Sequence, residues 1–332
     1  MMKRLPVGVL LALAGCSGVQ SPLAPSGREA DALFSLFGLM MVVCGAVYVL
    51  VMVGLGWSLW RVYRRRTVAA DSVSISDRTL DRGVWIAAGI IIVGLTTLII
   101  GSFIADRAMF RARGRDAMLV RVTGHQWWWR IQYRDPATGS WIETANELHL
   151  PVGGTTRMSL GSADVIHSFW VPNVAGKLDM IPGRRNLLDL TPRREGWFRG
   201  QCAEFCGLQH AHMALDVKVE SPAAFNAWLA AQARPAMTPG NGIAARGASL
   251  FAGSCAACHV VGGTTAHGRA GPDLTHVATR RSIAAGTLAM TRNNLQGWIA
   301  QPQAIKPGTS MPAVPMNPTD INAVAAYLEG LK

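Results

Sequence analysis

Two long stretches without a charged residue constrain this chain more than any other feature. Residues 32–60 and 83–105 contain no Asp, Glu, Lys or Arg. Each stretch exceeds the ~20 residues that a helix needs to cross the hydrocarbon of a bilayer. Trp57, Trp60 and Trp85 lie at the ends of the stretches, where interfacial side chains are common. The sequence therefore predicts a transmembrane hairpin with helices at about 32–60 and 83–105.

The connection between the two helices indicates how the hairpin is oriented. Arg61, Arg64, Arg65 and Arg66 follow the first stretch directly, and arginine-rich connections stay in the cytoplasm. Both ends of this multi-pass hairpin, and all that follows it, then lie on the periplasmic face of a bacterial inner membrane. The net charge of +12 would also suit nucleic acid. However, the chain contains no helix-turn-helix, zinc-finger or RNA-binding signature, and we expect no nucleic-acid partner.

The N-terminus has the features of an export signal. A basic start precedes an apolar run from Leu5 to Ala14, which is too short to span a bilayer. Residues 13–16 read Leu-Ala-Gly-Cys and resemble a bacterial lipobox. This resemblance implies a lipoprotein-type signal peptide at 1–15 and a lipid on Cys16. The alternative is an ordinary signal peptide with a chance cysteine.

Beyond the N-terminal segment and hairpin (16–110), short alternating segments predict a β-sandwich or barrel over 111–233. Residues 234–242 contain two prolines and two glycines and are interpreted as a linker. Residues 243–332 favour short helices, and hence an all-α domain. Strands are predicted at 118–122, 127–133, 156–160, 186–190 and 215–219, and a helix at 223–233.

A twelve-residue segment from Cys202 to Met213 contains two thiols, imidazole and a thioether. Sulfur and imidazole donors favour copper or zinc over magnesium or calcium. The thioether favours a copper electron-transfer site, because structural zinc sites rarely use methionine. Cys202 and Cys206 could each bridge two copper ions; a disulfide between them is the alternative.

A dinuclear site needs one more imidazole from another part of the chain. His167 is the best candidate, because it lies at a predicted strand end from which a β-scaffold could aim it at the later loop. A lone histidine in an apolar stretch is more often a core residue. The second cluster of donors makes the metal-binding interpretation the stronger one.

These segments resemble cytochrome c oxidase subunit II, whose soluble part is a cupredoxin-like β-barrel. The resemblance extends from about Asp31 to Leu229. It implies association with oxidase subunits I and III, contact with membrane lipid, and a c-type cytochrome or other respiratory electron donor. The matching motifs are Gly124–Trp129, Asp164–Pro172, Lys177–Arg184 and Gly200–Met213.

The resemblance also implies a ligand set. Both cysteines bridge the two coppers of a copper A centre, and the side chain of Glu204 faces a magnesium site at the border with subunit I. His212 stands where the family usually has an aromatic residue and is a rival to His210. The remaining copper ligands would be His167, His210, Met213 and the carbonyl oxygen of Glu204.

One tryptophan and one charged position complete the resemblance. Trp127 is similar to the aromatic residue through which electrons enter the copper centre, although the residues alone do not choose among Trp127, Trp128 and Trp129. The family usually has a glutamate at the start of the second helix. Arg82 occupies that position here, with Asp81 one residue away.

A second motif, Cys255-Ala256-Ala257-Cys258-His259, has the spacing of covalent haem c attachment. Its thiols can add to the two haem vinyl groups, and its histidine can bind the iron. The segment 306–312 resembles the methionine loop of class I c-type cytochromes, which makes Met311 the predicted second axial ligand. The rivals are Met290, Met316, His267 and His276.

Together these features predict a membrane-anchored multidomain protein with a cupredoxin-like copper A domain and an all-α cytochrome c domain. We expect it to relay electrons from its own haem c through copper A to subunit I, which reduces oxygen to water and pumps protons. A nitrous oxide reductase would need a many-histidine cluster, but the chain has only eight histidines. A quinol-oxidising homologue would lack the copper ligands. A membrane-tethered electron shuttle for another terminal reductase remains the alternative.

Overall fold

The computed structural model describes residues 18–65, 77–111, 117–135, 138–237 and 242–332. The predicted signal peptide and Cys16 lie outside these ranges. The chain divides into two compact units. One unit comprises residues 31–112, and the other comprises residues 1–30 and 113–332.

The smaller unit consists of two long helices, α1 (Arg28–Arg65) and α2 (Asp77–Arg111), both long and apolar enough to cross a membrane. They extend past the predicted 32–60 and 83–105, because the charged flanks continue the helix beyond the apolar stretch. At the end of α1, the guanidinium of Arg64 lies 4.6 Å from the ring of Trp60. A Cβ atom at Gly101 would overlap Leu39, so glycine lets the two helices approach closely there.

Within the described residues, ten strands form a sandwich of two five-stranded sheets. The first sheet has the order β3-β2-β1-β5-β8 and the second β4-β10-β9-β6-β7. The cupredoxin-like β-sandwich predicted from the sequence is thereby confirmed. The strands are β1 (Met118–His125), β2 (Trp128–Arg134), β3 (Trp141–Ala145), β4 (Glu147–Pro151), β5 (Thr156–Ser162), β6 (His167–Trp170), β7 (Leu178–Met180), β8 (Asn186–Leu190), β9 (Gly196–Cys202) and β10 (Ala214–Glu220).

Alternating side chains build the core between the sheets. Val120 and Val122 of β1 and Trp129, Ile131 and Tyr133 of β2 are fully buried, while their neighbours in sequence are partly exposed. The pairing of β6 with β9 places Phe169 opposite Cys202. This register brings the start of β6 and the end of β9 to the same end of the sandwich.

The sandwich is extended by an N-terminal strap, residues 18–27. The amide of Asn173 donates to the carbonyl oxygens of Gly18 and Ala24, both at 2.9 Å. The buried carboxylate of Glu29, just after the strap, accepts hydrogen bonds from the backbone and hydroxyl of Thr191. These bonds hold residues 18–29 against the sandwich.

The C-terminal region is helical, as predicted. It contains α4 (Ile243–Ser254), α5 (Arg292–Ala300), α6 (Pro302–Ile305) and α7 (Pro318–Glu329), after α3 (Pro222–Gln232) at the end of the sandwich. A Cβ atom at Gly247 would overlap the backbone of Ala323, so α4 and α7 cross in close contact. A short hairpin of β11 (Ser282–Ile283) and β12 (Leu288–Ala289) was not predicted.

Candidate metal centre and haem pocket

Thiol, imidazole and thioether donors converge at one end of the sandwich. His167 begins β6 and Cys202 ends β9, so the sheet register brings them together, and the loop after β9 supplies the others. The sulfurs of Cys202 and Cys206 are 3.8 Å apart, well beyond a disulfide bond of about 2.05 Å. The other distances are 3.8 Å from Cys202 Sγ to His167 Nδ1, 3.6 Å from Cys206 Sγ to His210 Nδ1, and 3.9 Å from Cys206 Sγ to Met213 Sδ.

The electrostatics of the two thiols favour a bound cation. A hydrogen bond from Cys206 lowers the pKa of Cys202 to about 3, and the same interaction raises the pKa of Cys206. Without a metal ion, ionisation of one thiol therefore disfavours ionisation of the other. Metal ions between the sulfurs would stabilise both thiolates. These buried soft donors fit a copper centre.

Asp164 orients the imidazole of His167. Its carboxylate lies 2.8 Å from Nε2 of His167 and also accepts a hydrogen bond from the backbone N–H of Gln126. Burial lowers the pKa of His167, but hydrogen bonds to Asp164 and Cys202 raise it, to about 9 overall. The carboxylate favours the tautomer in which Nδ1 is free to face Cys202, as is usual for metal-binding histidines.

The structure places the two candidate histidines of the loop in different surroundings. His210 faces Cys206, whereas Nδ1 of His212 lies 2.9 Å from the side-chain oxygen of Gln209. The carbonyl oxygen of Glu204 is 3.3 Å from Cys202 Sγ. The half-exposed Glu204 carboxylate lies 3.7 Å from the ammonium group of Lys177.

The three consecutive tryptophans also differ in their contacts. The indole N–H of Trp127 donates to the carbonyl oxygen of Cys206 at 2.9 Å. Trp128 stacks on His125 with ring centroids 4.5 Å apart. Trp129 is buried in the core against Phe169, with its ring centroid 6.3 Å from that of His167.

The Cys-x-x-Cys-His segment opens into a largely apolar cavity. Cys255, Cys258, His259 and Met311 line it together, while Met290, Met316, His267 and His276 do not. His259 Nδ1 lies 2.8 Å from the carbonyl oxygen of Pro272, so that a donated hydrogen bond leaves Nε2 free to bind a metal. Burial lowers the pKa of His259, which favours the neutral imidazole that ligation requires.

Two further observations fit a haem in this cavity. Gly271 packs against the ring of His259, where a Cβ atom would lie 2.6 Å from Cε1. Arg280 is buried and lines the cavity, and its Nε has no hydrogen-bond partner among the described residues. A buried guanidinium with a free N–H suits an anionic group such as a haem carboxylate. The sequence motifs did not indicate the contact of Arg280.

The cavity is closed by the β-sandwich, which the sequence did not indicate. Gln126, Trp127, Trp128 and Asn146 of the sandwich line it together with the helical residues. The side chain of Gln126 also donates to the carbonyl oxygen of Cys206 at 2.7 Å. The segment 126–128 therefore lies between the metal donors and the haem pocket.

Lys306 and Gly308 connect the methionine loop to this segment. The Lys306 side chain is buried at the boundary between the β-sandwich and the helical domain, here called the seam. Its ammonium group donates to carbonyl oxygens on both sides of this seam. Gly308 has φ +83°, and a Cβ atom there would lie 3.5 Å from the Trp127 ring. Further hydrogen bonds across the seam join Arg281 to Glu147, Ser282 to Asp216, Ala214 to Ala285 and Gln209 to Pro307.

Two family models match the chain: the periplasmic domain of cytochrome c oxidase subunit II over residues 135–220, and cytochrome c over residues 244–332. Cytochrome c oxidase subunit 2 of Alkalihalophilus pseudofirmus is 33% identical over 99% of this chain and 96% of the relative. The Bacillus subtilis protein of the same name is 29% identical over 98% of this chain and 95% of its own length. The solved periplasmic domain of subunit II from Bradyrhizobium japonicum is 32% identical over 35% of this chain and 92% of that chain, with a TM-score of 0.33.

Proposed function

Because this chain belongs to the cytochrome c oxidase subunit 2 family, we propose that its electron relay uses a covalent haem c and a dinuclear copper A centre in direct succession. The observation that carries the proposal is the position of Trp127. Its indole donates to the carbonyl of Cys206 in the metal loop and also lines the haem cavity. One side chain thus contacts both sites.

The copper ligands are the residues predicted from the sequence. Cys202 and Cys206 would both hold the copper pair, and His210 is favoured over His212 because it faces Cys206. A bound copper pair would supply one-electron chemistry, and the chain holds its donors at a largely buried end of the sandwich. The ligand set is His167, Cys202, Glu204 through its carbonyl, Cys206, His210 and Met213.

The haem ligands follow from the shared cavity. Thioether bonds to Cys255 and Cys258 would fix the haem, and His259 and Met311 would bind its iron. Methionine raises the reduction potential, which favours reduction of the haem by an external donor. The remaining lining is mainly apolar and keeps water away from the haem.

The surroundings of the relay are also proposed. The α1–α2 hairpin would cross a bacterial inner membrane twice, with both later domains on the periplasmic face and a lipid on Cys16. Subunit I reduces oxygen, and subunit III and a c-type cytochrome or other respiratory donor complete the partners. The exposed carboxylate of Glu204 would face a magnesium ion at the border with subunit I.

Metal and haem analysis of the purified full-length chain tests this proposal. We expect two coppers with a mixed-valence signal and one covalent haem c. Cys202→Ser should lose the copper signal and keep the haem, and Cys258→Ser should do the reverse. Cys44→Ser is the matched control, because Cys44 lies in α1 and contacts neither site. Zinc, or no metal, in the wild-type chain would overturn the proposal.

A further inference from the structure

Lys306 is a buried cation at the seam between the β-sandwich and the helical domain. Only 2% of its surface is exposed. Lysine is almost never this buried unless its charge has partners, yet the described part of the chain places no carboxylate in a salt bridge with it. Its partners are three backbone carbonyl oxygens, those of Trp127 at 2.8 Å, His212 at 3.0 Å and Ala284 at 3.1 Å.

The three acceptors match the three N–H donors of an ammonium group. Trp127 belongs to the segment between the metal donors and the haem cavity, and His212 directly precedes the predicted copper ligand Met213. Ala284 lies in the connection between β11 and β12 of the helical domain. One side chain thereby joins three segments that are distant in sequence.

The residues after Lys306 continue this contact. The carbonyl oxygen of Pro307 accepts a hydrogen bond of 2.9 Å from the side chain of Gln209. Gly308 then lies against Trp127 and the exposed side chain of Leu208. The predicted haem ligand Met311 follows three residues later. The methionine loop is therefore held against the copper loop from Lys306 to Gly308.

We propose that Lys306 is a positioning residue, which holds the methionine loop of the haem domain against Trp127 and the copper loop and so sets the rate of haem-to-copper electron transfer. This inference rests on the proposed relay function. Lys306 belongs to the helical domain, but two of its three acceptors belong to the sandwich. Its removal should loosen the seam and leave the core of each domain intact.

Lys306→Met tests this role, since methionine has a similar length but no donors. Lys332→Met is the matched control, because Lys332 is an exposed lysine of the same domain. In the full oxidase complex, haem c would be reduced with a light pulse and its reoxidation by copper followed optically. We expect Lys306→Met to slow this step by about tenfold or more, because small misplacements of reacting groups are costly, and Lys332→Met to match the wild type.

Spectra separate positioning from a merely structural role. The methionine–iron band and the copper signal should be unchanged in Lys306→Met, and reduction of haem c by the external donor should keep its rate. Protease cleavage within the linker at 234–242 should become faster as the seam opens. Lys306→Arg, which keeps the charge with a different geometry, should be intermediate in transfer rate.

Two outcomes would overturn the inference. One is a wild-type transfer rate in Lys306→Met, and the other is loss of either the copper or the methionine–iron signal in that variant. The second result would mean that Lys306 maintains a ligand loop. Failure of the underlying relay is recognised separately, since wild-type protein itself would then lack copper, haem or transfer between them.

Discussion

The indole N–H of Trp127 donates a hydrogen bond of 2.9 Å to the carbonyl oxygen of Cys206. The indole is 7% exposed, and the methionine loop covers it at Gly308. Trp127 thus contacts both the copper loop and the haem domain. Its position makes the hydrogen bond a direct target for mutation.

Trp127→Phe should slow haem-to-copper electron transfer by about tenfold, because the ring becomes smaller and the bond to Cys206 is lost. The loss of one buried hydrogen bond should cost about 1 kcal/mol of stability. The rate is measured by light-induced reduction of haem c, and the copper signal should persist. Trp141→Phe is the control. Trp141 begins β3, packs against Arg121 of β1 and lies outside both sites. An unchanged rate in Trp127→Phe would exclude Trp127 from the route.

Gly308→Ala should destabilise the chain by about 1–2 kcal/mol, because its backbone is left-handed at φ +83°. The added methyl group would also meet Leu208 at 3.1 Å. Thermal unfolding of the detergent-solubilised chain measures the effect. Gly253→Ala is the control, since it lies in α4 with open space around it and should gain up to about 1 kcal/mol from helix propensity. Equal melting temperatures for the two variants would contradict this expectation.

Among the strands that alternation predicted, β1, β2 and β5 have one buried and one partly exposed face. The predicted segments at 118–122 and 156–160 lie within β1 and β5, and the segment at 186–190 coincides with β8. β4 was missed although Glu147 to Leu150 alternate polar and apolar residues, because the segment is short and ends at Pro151, which argues against a strand. β9 was missed because its two glycines, Gly196 and Gly200, are typical of turns.

The metal and haem residues could be predicted as types and spacings, but their contacts with the rest of the chain could not. Cys202 and His210 belong to a short local motif, which a sequence displays directly. Lys306 and Trp127 are 179 positions apart, and nothing near Lys306 indicates that its ammonium group binds the other domain. Such a contact depends on how the surfaces of the sandwich and the helical domain meet, and one sequence carries no periodic pattern for that.

Relative to wild type, Asp216→Asn should be more stable at neutral pH than at acid pH. Asp216 accepts a hydrogen bond from Ser282, and burial raises its carboxyl pKa. When folding raises the pKa of a carboxyl group, the protonated group contributes fully to stability below its unfolded-state pKa of about 3.9. That contribution is lost as the pH rises through the folded-state value. Asparagine avoids the buried charge and can still accept the bond.

The measurement is the difference in melting temperature between Asp216→Asn and wild type from pH 4 to pH 8. The difference should grow in favour of the variant as the pH rises. Asp189→Asn is the opposite control, because Asp189 accepts two hydrogen bonds from Arg157 and should lose about 1 kcal/mol or less at neutral pH. A pH-independent difference for Asp216→Asn would contradict the burial argument.

Cys258→Ser protein, which cannot hold a normally attached haem c, should show much lower oxidase turnover with its natural donor. The reason is that the helical domain covers Trp127, so that a mobile cytochrome cannot reach this residue directly. Tethering also gives the fused haem an effective concentration of roughly millimolar. We expect turnover to fall roughly a hundredfold, and Cys44→Ser to retain the wild-type value.

Unfolding of the haem-free domain in Cys258→Ser would uncover Trp127, so a second variant that keeps its haem serves as the control. Met311→His should keep the covalent haem and lower its reduction potential, because methionine ligation raises that potential. Reduction of haem c by the external donor would then be less favourable, although its electron would pass to copper with a larger driving force, and turnover should fall with the haem still present. Full turnover in both variants would mean that the natural donor reduces copper directly, and that the fused haem lies outside the electron route.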